Sequence, residues 1–122
     1  HLVRLRQEDT LLWPWYDRRH HDVIDDQIEV SAPLVLVEGN YLLLDEEPWR
    51  SLKPLCDVSM FLYAEETQLY ARLIERKVRG GMMPHEAAAF AKGSDMRNVR
   101  RILDRRLHAD VELILHEEGI SW

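Results

Sequence analysis

The chain has 122 residues, 46% of them apolar and four of them Trp, enough for one domain-sized core and too many for an intrinsically disordered polypeptide. Sixteen Lys and Arg against 22 Asp and Glu give a formal net charge of −6, which speaks against a nucleic-acid partner. A single cysteine, Cys56, excludes an intrachain disulfide and a cysteine metal cage, and no apolar run reaches the ~20 residues of a membrane span, so no membrane partner and a reducing cytoplasm are expected.

Residues 1–10 are polar apart from Leu2, Val3 and Leu5, and read as a helix tail or a linker. Residues 11–16 are apolar and aromatic, but Pro14 confines them to an edge or irregular segment. Residues 17–29, rich in charge and His, read as a loop. After Pro33, the unbroken apolar run Leu34-Val35-Leu36-Val37 predicts a strand buried on both faces, ending at Glu38-Gly39. Leu42 to Leu44 follow a turn at Gly39-Asn40, and Asp45 is the expected N-cap of a short helix through Trp49 and Leu52, closed by Pro54.

Residues 57–63 predict a second strand, with Cys56 as a small buried residue at its start. Residues 66–79 predict a helix whose apolar face carries Leu69, Tyr70, Leu73, Ile74 and Val78, ended by Gly80-Gly81. Pro84 opens an Ala-rich helix over 85–92, and Ser94 is the expected N-cap of a last helix with Met96, Val99, Ile102, Leu103 and Leu107 in one stripe. Residues 111–115 predict a third strand. Strands alternating with helices define an α/β fold with a parallel sheet.

Three features carry chemistry. Glu38 at the carboxyl end of a predicted strand is where open α/β sheets place ligands, and one carboxylate suffices for a hydrated Mg²⁺; it reads equally as a solvated strand end. Arg72, Arg76 and Arg79 recur at helical spacing on one face, suiting phosphoryl oxygens or a solvated face in which Glu75 pairs with Arg79. The run from Pro14 to His21 sets an aromatic wall beside Asp17 and two imidazoles, suited to a hydroxylated or heterocyclic molecule. Adjacent His20 and His21 lack a third ligand at a diagnostic spacing and do not define a metal site; His1, His85, His108 and His116 read as surface residues.

The order of Tyr16-Asp17, Glu38-Gly39-Asn40-Tyr41-Leu42-Leu43-Leu44 with Trp49, Asp57 with Phe61-Leu62, Arg72-Leu73 with Arg76, and Asp95 with Asn98 resembles one family. It is that of the P-loop kinases comprising uridine kinase, phosphoribulokinase and bacterial pantothenate kinase, on their bacterial nucleoside or sugar kinase-like branch. The resemblance implies a single domain over 1–122, the C-terminal portion of a three-layer α/β/α P-loop kinase fold. Its parts would be an acceptor loop over 11–30, a Walker B-like strand over 34–39, lid-region helices over 66–92, and a final helix and strand over 95–115. It further implies ATP-dependent phosphorylation of a hydroxyl on a small metabolite. Glu38 would serve the metal, Arg72 and Arg76 would close on the phosphates as catalytic and ATP-binding residues, and Tyr16, Asp17, His21 and Asn98 would bind the acceptor.

The chain departs from that family in lacking Gly-x-x-x-x-Gly-Lys-Ser/Thr and the Walker A strand, which the family places between the strands predicted at 34–38 and 57–63. ATP and Mg²⁺ are therefore expected to need a missing N-terminal segment, and the isolated chain is expected to be inactive. It would pair with that segment or with a second copy of itself. The alternative reading is a non-catalytic binding or regulatory protein that keeps the acceptor side of a kinase scaffold.

Overall fold

The computed structural model describes residues 1–116 and 119–121, and the chain divides into two compact units, residues 1–39 and 40–122. The first opens with one helical turn, α1 (Leu2–Leu5), and is otherwise a hairpin of β1 (Leu11–Asp17) and β2 (Asp22–Val30). The strands pair antiparallel from Leu11 opposite Val30 to Asp17 opposite Asp22. Pro14, which has no N–H to donate, sits where the register slips between Trp13 and Trp15, as its edge character predicted.

The loop expected over 17–29 is instead mostly the second strand of this hairpin. Its β-branched residues Val23, Ile24, Ile28 and Val30 are spaced out by acidic residues, and Asp26 at φ 56° breaks their alternation, which hides the strand from a pattern reading. The connecting turn is built by Asp17, whose Oδ1 accepts the Arg19 N–H at 2.8 Å, and by His21 at φ 52°.

The strand expected over 34–37 joins no sheet among the described residues. Leu34 and Leu36 are 86% and 88% exposed, the state of an apolar run whose sheet neighbours are not among the described strands.

The second unit is built around Leu43 and Leu44, both buried. The Leu43 carbonyl accepts the Leu107 N–H, Asp45 donates its N–H to the Arg105 carbonyl, each at 2.7 Å, and Leu44 bridges Arg106. The helix expected from Asp45 is replaced by two 3₁₀ turns, Trp49–Ser51 and Lys53–Leu55. The Asp45 carboxylate does not cap them but accepts from Arg50 Nε at 2.5 Å. Cys56, expected inside, is exposed.

β3 (Met60–Tyr63) then runs parallel to β4 (Val111–Leu115), and β5 (Ile120–Ser121) adds antiparallel to β4. The strand predicted from residue 57 begins three residues later because Ser59 and Asp110 lock the start of the pair. Asp110 Oδ2 accepts the Ser59 N–H at 2.8 Å and its hydroxyl at 2.5 Å, while Asp110 and Val111 donate their N–H groups to the Ser59 carbonyl. These bonds favour the ionised Asp110 and hold its carboxyl below the usual range.

α2 (Glu66–Arg79) has the predicted bounds. It ends in a Schellman motif, in which the Met82 N–H bonds to the Lys77 carbonyl and the Gly81 N–H to that of Val78. Gly81 takes φ +96°, which no residue with a Cβ adopts without strain. α3 (Pro84–Phe90) starts on Pro84 as expected, but no cap at Ser94 separates it from the last helix. A π-helical turn, Ala91–Asp95, carries the chain straight into α4 (Met96–Arg105). Ala87, Ala91 and Met96 are buried along this continuous rod, and the small Ala87 and Ala91 let α3 and the π turn pack on α2.

Candidate functional site

The second unit contains a cleft of about 320 Å³ between α2, α4 and the turn at Asn40-Tyr41. Arg72 and Arg76, one helical turn apart on α2, lie on one wall, and Asn98 of α4 lies on another. Three residues predicted from sequence thus meet in one place. Leu69 and Leu73 of α2 and Val99 and Ile102 of α4 give the cleft its apolar lining.

Arg72 and Arg76 share with Arg97, which lies outside the cleft, the lack of a carboxylate partner among the described residues. Arg50, Arg79, Arg100, Arg101, Arg105 and Arg106 of this unit are all paired with carboxylates. Arg72 and Arg76 make no ion pair or hydrogen bond among the described residues. Arg79, third in the predicted row, does not line the cleft and pairs with Glu75 at 2.6 Å, as the solvated-face reading has it; Arg72 and Arg76 are exposed as well.

Three further contributors to the cleft, Asn40, Tyr41 and Asp95, stand in the motifs that carry the resemblance but receive no site role from sequence. Asn40 and Tyr41 are delivered there by the Leu43–Leu107 and Leu44–Arg106 pairing, a long-range contact with no local signature. Tyr41 is braced from behind by the Trp49 ring, 5.4 Å away and tilted by 42°, and by the Arg101 guanidinium 5.8 Å over its face. Arg101 and Arg105 in turn converge on Glu46, and their hydrogen bonds hold its carboxyl below the usual range. Asp95 owes its position to the π turn, which sets the phase between α3 and α4.

In the first unit, Tyr16, Asp17 and His21 gather at the tip of the hairpin. Tyr16 is half exposed; Asp17 is buried and already engaged, with His20 Nδ1 2.5 Å from its Oδ2. That imidazole, and then the Arg19 N–H, hold the Asp17 carboxyl below its usual range. His20, which the sequence reading set aside, is therefore the partner of Asp17. Glu38 is exposed, without ion pair or hydrogen bond among the described residues, and follows unpaired chain instead of closing a strand. Among the described residues, no group of three or more His, Cys, Asp or Glu side chains is gathered for a metal, and no helix is long and apolar enough to cross a membrane.

This mixed α/β arrangement, with its parallel strand pair and flanking helices, is part of a P-loop kinase fold. A candidate fructose transport system kinase from Silicibacter superposes with TM-score 0.82 at 34% identity, over 91% of this chain and 55% of that one. YFH7 of Saccharomyces cerevisiae, described as a candidate P-loop kinase with a circular permutation, shares the fold at TM-score 0.72 and 22% identity, over 88% of this chain and 36% of that one. In sequence, the chain is 45% identical over 117 residues to the uncharacterized protein YggC of Escherichia coli, covering 94% of this chain and 49% of YggC. It is 33% identical over 102 residues to the ATP-dependent kinase-like protein notR′ of Aspergillus versicolor, covering 80% of this chain and 59% of that protein. The chain thus spans about half the length of the curated relatives it matches. No protein-family model matches it. Its scaffold is one shared with kinases.

Proposed function

We propose that the chain is part of an ATP-dependent kinase that phosphorylates a hydroxyl of a small metabolite, with Arg72 and Arg76 gripping the phosphates. The observation that carries this reading is that Arg72 and Arg76, one helical turn apart, both line the cleft without a carboxylate partner among the described residues. A pair of guanidiniums without carboxylate partners is suited to a polyanion, and stabilising the charge of a transferring phosphoryl group is what such arginines do. Relatives named as an ATP-dependent kinase-like protein and a fructose transport system kinase support the reaction class; the acceptor we propose is nucleoside, sugar or pantothenate-like.

Asn98 of the cleft is one candidate for acceptor binding, and Tyr16, Asp17 and His21 at the hairpin tip are a separate set of candidates, Asp17 through the lone pairs its turn leaves free. Glu38 suits Mg²⁺: it is a lone carboxylate for which no cation competes among the described residues, and that ion keeps most of its waters. When bound, the ion would neutralise charge on the nucleotide phosphates. The chain itself has no Gly-x-x-x-x-Gly-Lys-Ser/Thr, so activity would need a phosphate-gripping loop from another stretch of polypeptide, and the setting would be cytoplasmic. The unpaired edge of β3 is the place for such a stretch, or a second copy of the chain, to add a strand.

Titration of the chain with tripolyphosphate tests the central claim. Arg72→Ala and Arg76→Ala should each weaken binding by roughly ten-fold, about the worth of one charge-assisted contact. Arg79→Ala, which removes the same charge outside the cleft, should not. Equal losses in all three variants, or no binding by the wild-type chain, would remove the arginines from a phosphate role.

A further inference from the structure

The turn at the tip of the hairpin uses both oxygens of one buried carboxylate. Asp17 Oδ1 accepts the Arg19 N–H at 2.8 Å, and Asp17 Oδ2 lies 2.5 Å from His20 Nδ1. The Asp17 side chain is 10% exposed and that of His20 is 77% exposed, so the carboxylate sits inside the turn and the imidazole stands out from it.

This arrangement decides where the imidazole proton sits. The Asp17 carboxyl, held below its usual range, is ionised near neutral pH and can only accept hydrogen bonds. His20 Nδ1 must therefore carry the proton that it shares with Asp17. In the neutral ring that leaves Nε2, on the far edge, as an acceptor, and it has no partner among the described residues. A buried carboxylate that fixes the tautomer and aim of an imidazole presents one free nitrogen to a proton donor. His21 is not so held: no carboxylate pairs with it among the described residues, and it takes φ 52° in the turn.

We propose that His20 Nε2 accepts a hydrogen bond from a hydroxyl of the acceptor, and that Asp17 is the residue that positions it. The proposal rests on the reading of the hairpin tip as an acceptor site, and adds which nitrogen makes the contact and with what polarity. A hydroxyl fits there because it donates. A ketone or ether oxygen does not, because two acceptors would face each other.

Long-range proton–nitrogen NMR of the chain at about pH 8, above the ordinary imidazole range, reads which ring nitrogen carries the proton. Uridine, fructose and pantothenate serve as the hydroxyl probes. His20 should be protonated at Nδ1, and at least one probe should shift the resonances of the hairpin tip. His20→Ala should weaken that probe roughly three- to ten-fold, the worth of one hydrogen bond, and His20→Gln, which reaches to the Nε2 position, should restore part of the loss. Asp17→Asn keeps an oxygen for the Arg19 N–H but turns an N–H toward His20, so the ring proton should move to Nε2 and binding should fall with it. A wild-type His20 protonated at Nε2, or a His20→Ala variant that binds as well as the wild type, overturns this proposal, and tip resonances that still shift leave the acceptor reading standing. A tip undisturbed by all three probes overturns both. Should Asp17→Asn loosen the turn, the two His20 variants decide by themselves, because a side chain 77% exposed holds no core.

Discussion

Among the described residues Leu44 is the largest side chain that is fully buried, at 0% exposure, and its backbone ties the Asn40-Tyr41 turn to the end of α4. Leu44→Ala removes three carbons from a close-packed site, about 2.4 kcal/mol of burial at ~0.8 kcal/mol per carbon. The unfilled space adds to this, for a total of about 3 kcal/mol. A domain stable by ~5–15 kcal/mol loses a large share of its margin. For a unit of about 80 residues that corresponds to a fall in Tm of roughly 15 °C. Thermal melts followed by far-UV circular dichroism measure the fall directly. The same variant should weaken tripolyphosphate binding, because Asn40 and Tyr41 lose their anchor. A drop below about 5 °C would refute the claim that Leu44 sits in a tightly packed core, and with it the account of how the cleft is assembled.

Gly81→Ala should destabilise by about 1 kcal/mol or more, because φ +96° strains any Cβ, whereas Gly93→Ala should be neutral or stabilising, since nothing lies within 4 Å of a Cβ there and the segment is helical. Comparison of the two Tm values checks both. Because the folded state holds the Asp110 carboxyl below its ordinary value, its contribution to stability is full above about pH 4 and is lost as the pH falls through the lower folded-state value. Asp110→Asn should therefore flatten the acid limb of a Tm-against-pH curve, and parallel curves would rule the Ser59–Asp110 lock out as its cause. In a longer polypeptide that supplies the nucleotide loop, Arg76→Ala should lower turnover by roughly 10²-fold, and an effect on Tm alone would return Arg76 to a structural role.

The periodic elements were legible in the sequence because local pattern and tertiary role agree there. α2 carries its apolar face at helical spacing and ends on a glycine pair, and β4 is a short apolar run after Asp110. Legibility failed wherever long-range pairing decides. Residues 34–37 have the composition of a buried strand, but composition cannot supply the neighbouring strands that would bury it. Acidic spacing concealed β2, and the π turn erased the break that Ser94 advertises. Within the cleft, helical spacing found Arg72 and Arg76, while Tyr41 and Asp95 depend on a bridge across some sixty residues and on one irregular turn.

Among the described residues β3 is hydrogen-bonded along one side alone, and Met60 and Leu62 within it and Val58 just before it are 57%, 51% and 56% exposed. A bare strand margin flanked by greasy side chains is a template for stray backbone. Expressed by itself, this polypeptide should precipitate or clump as its concentration rises, and a short peptide able to lie along that margin should keep it dispersed.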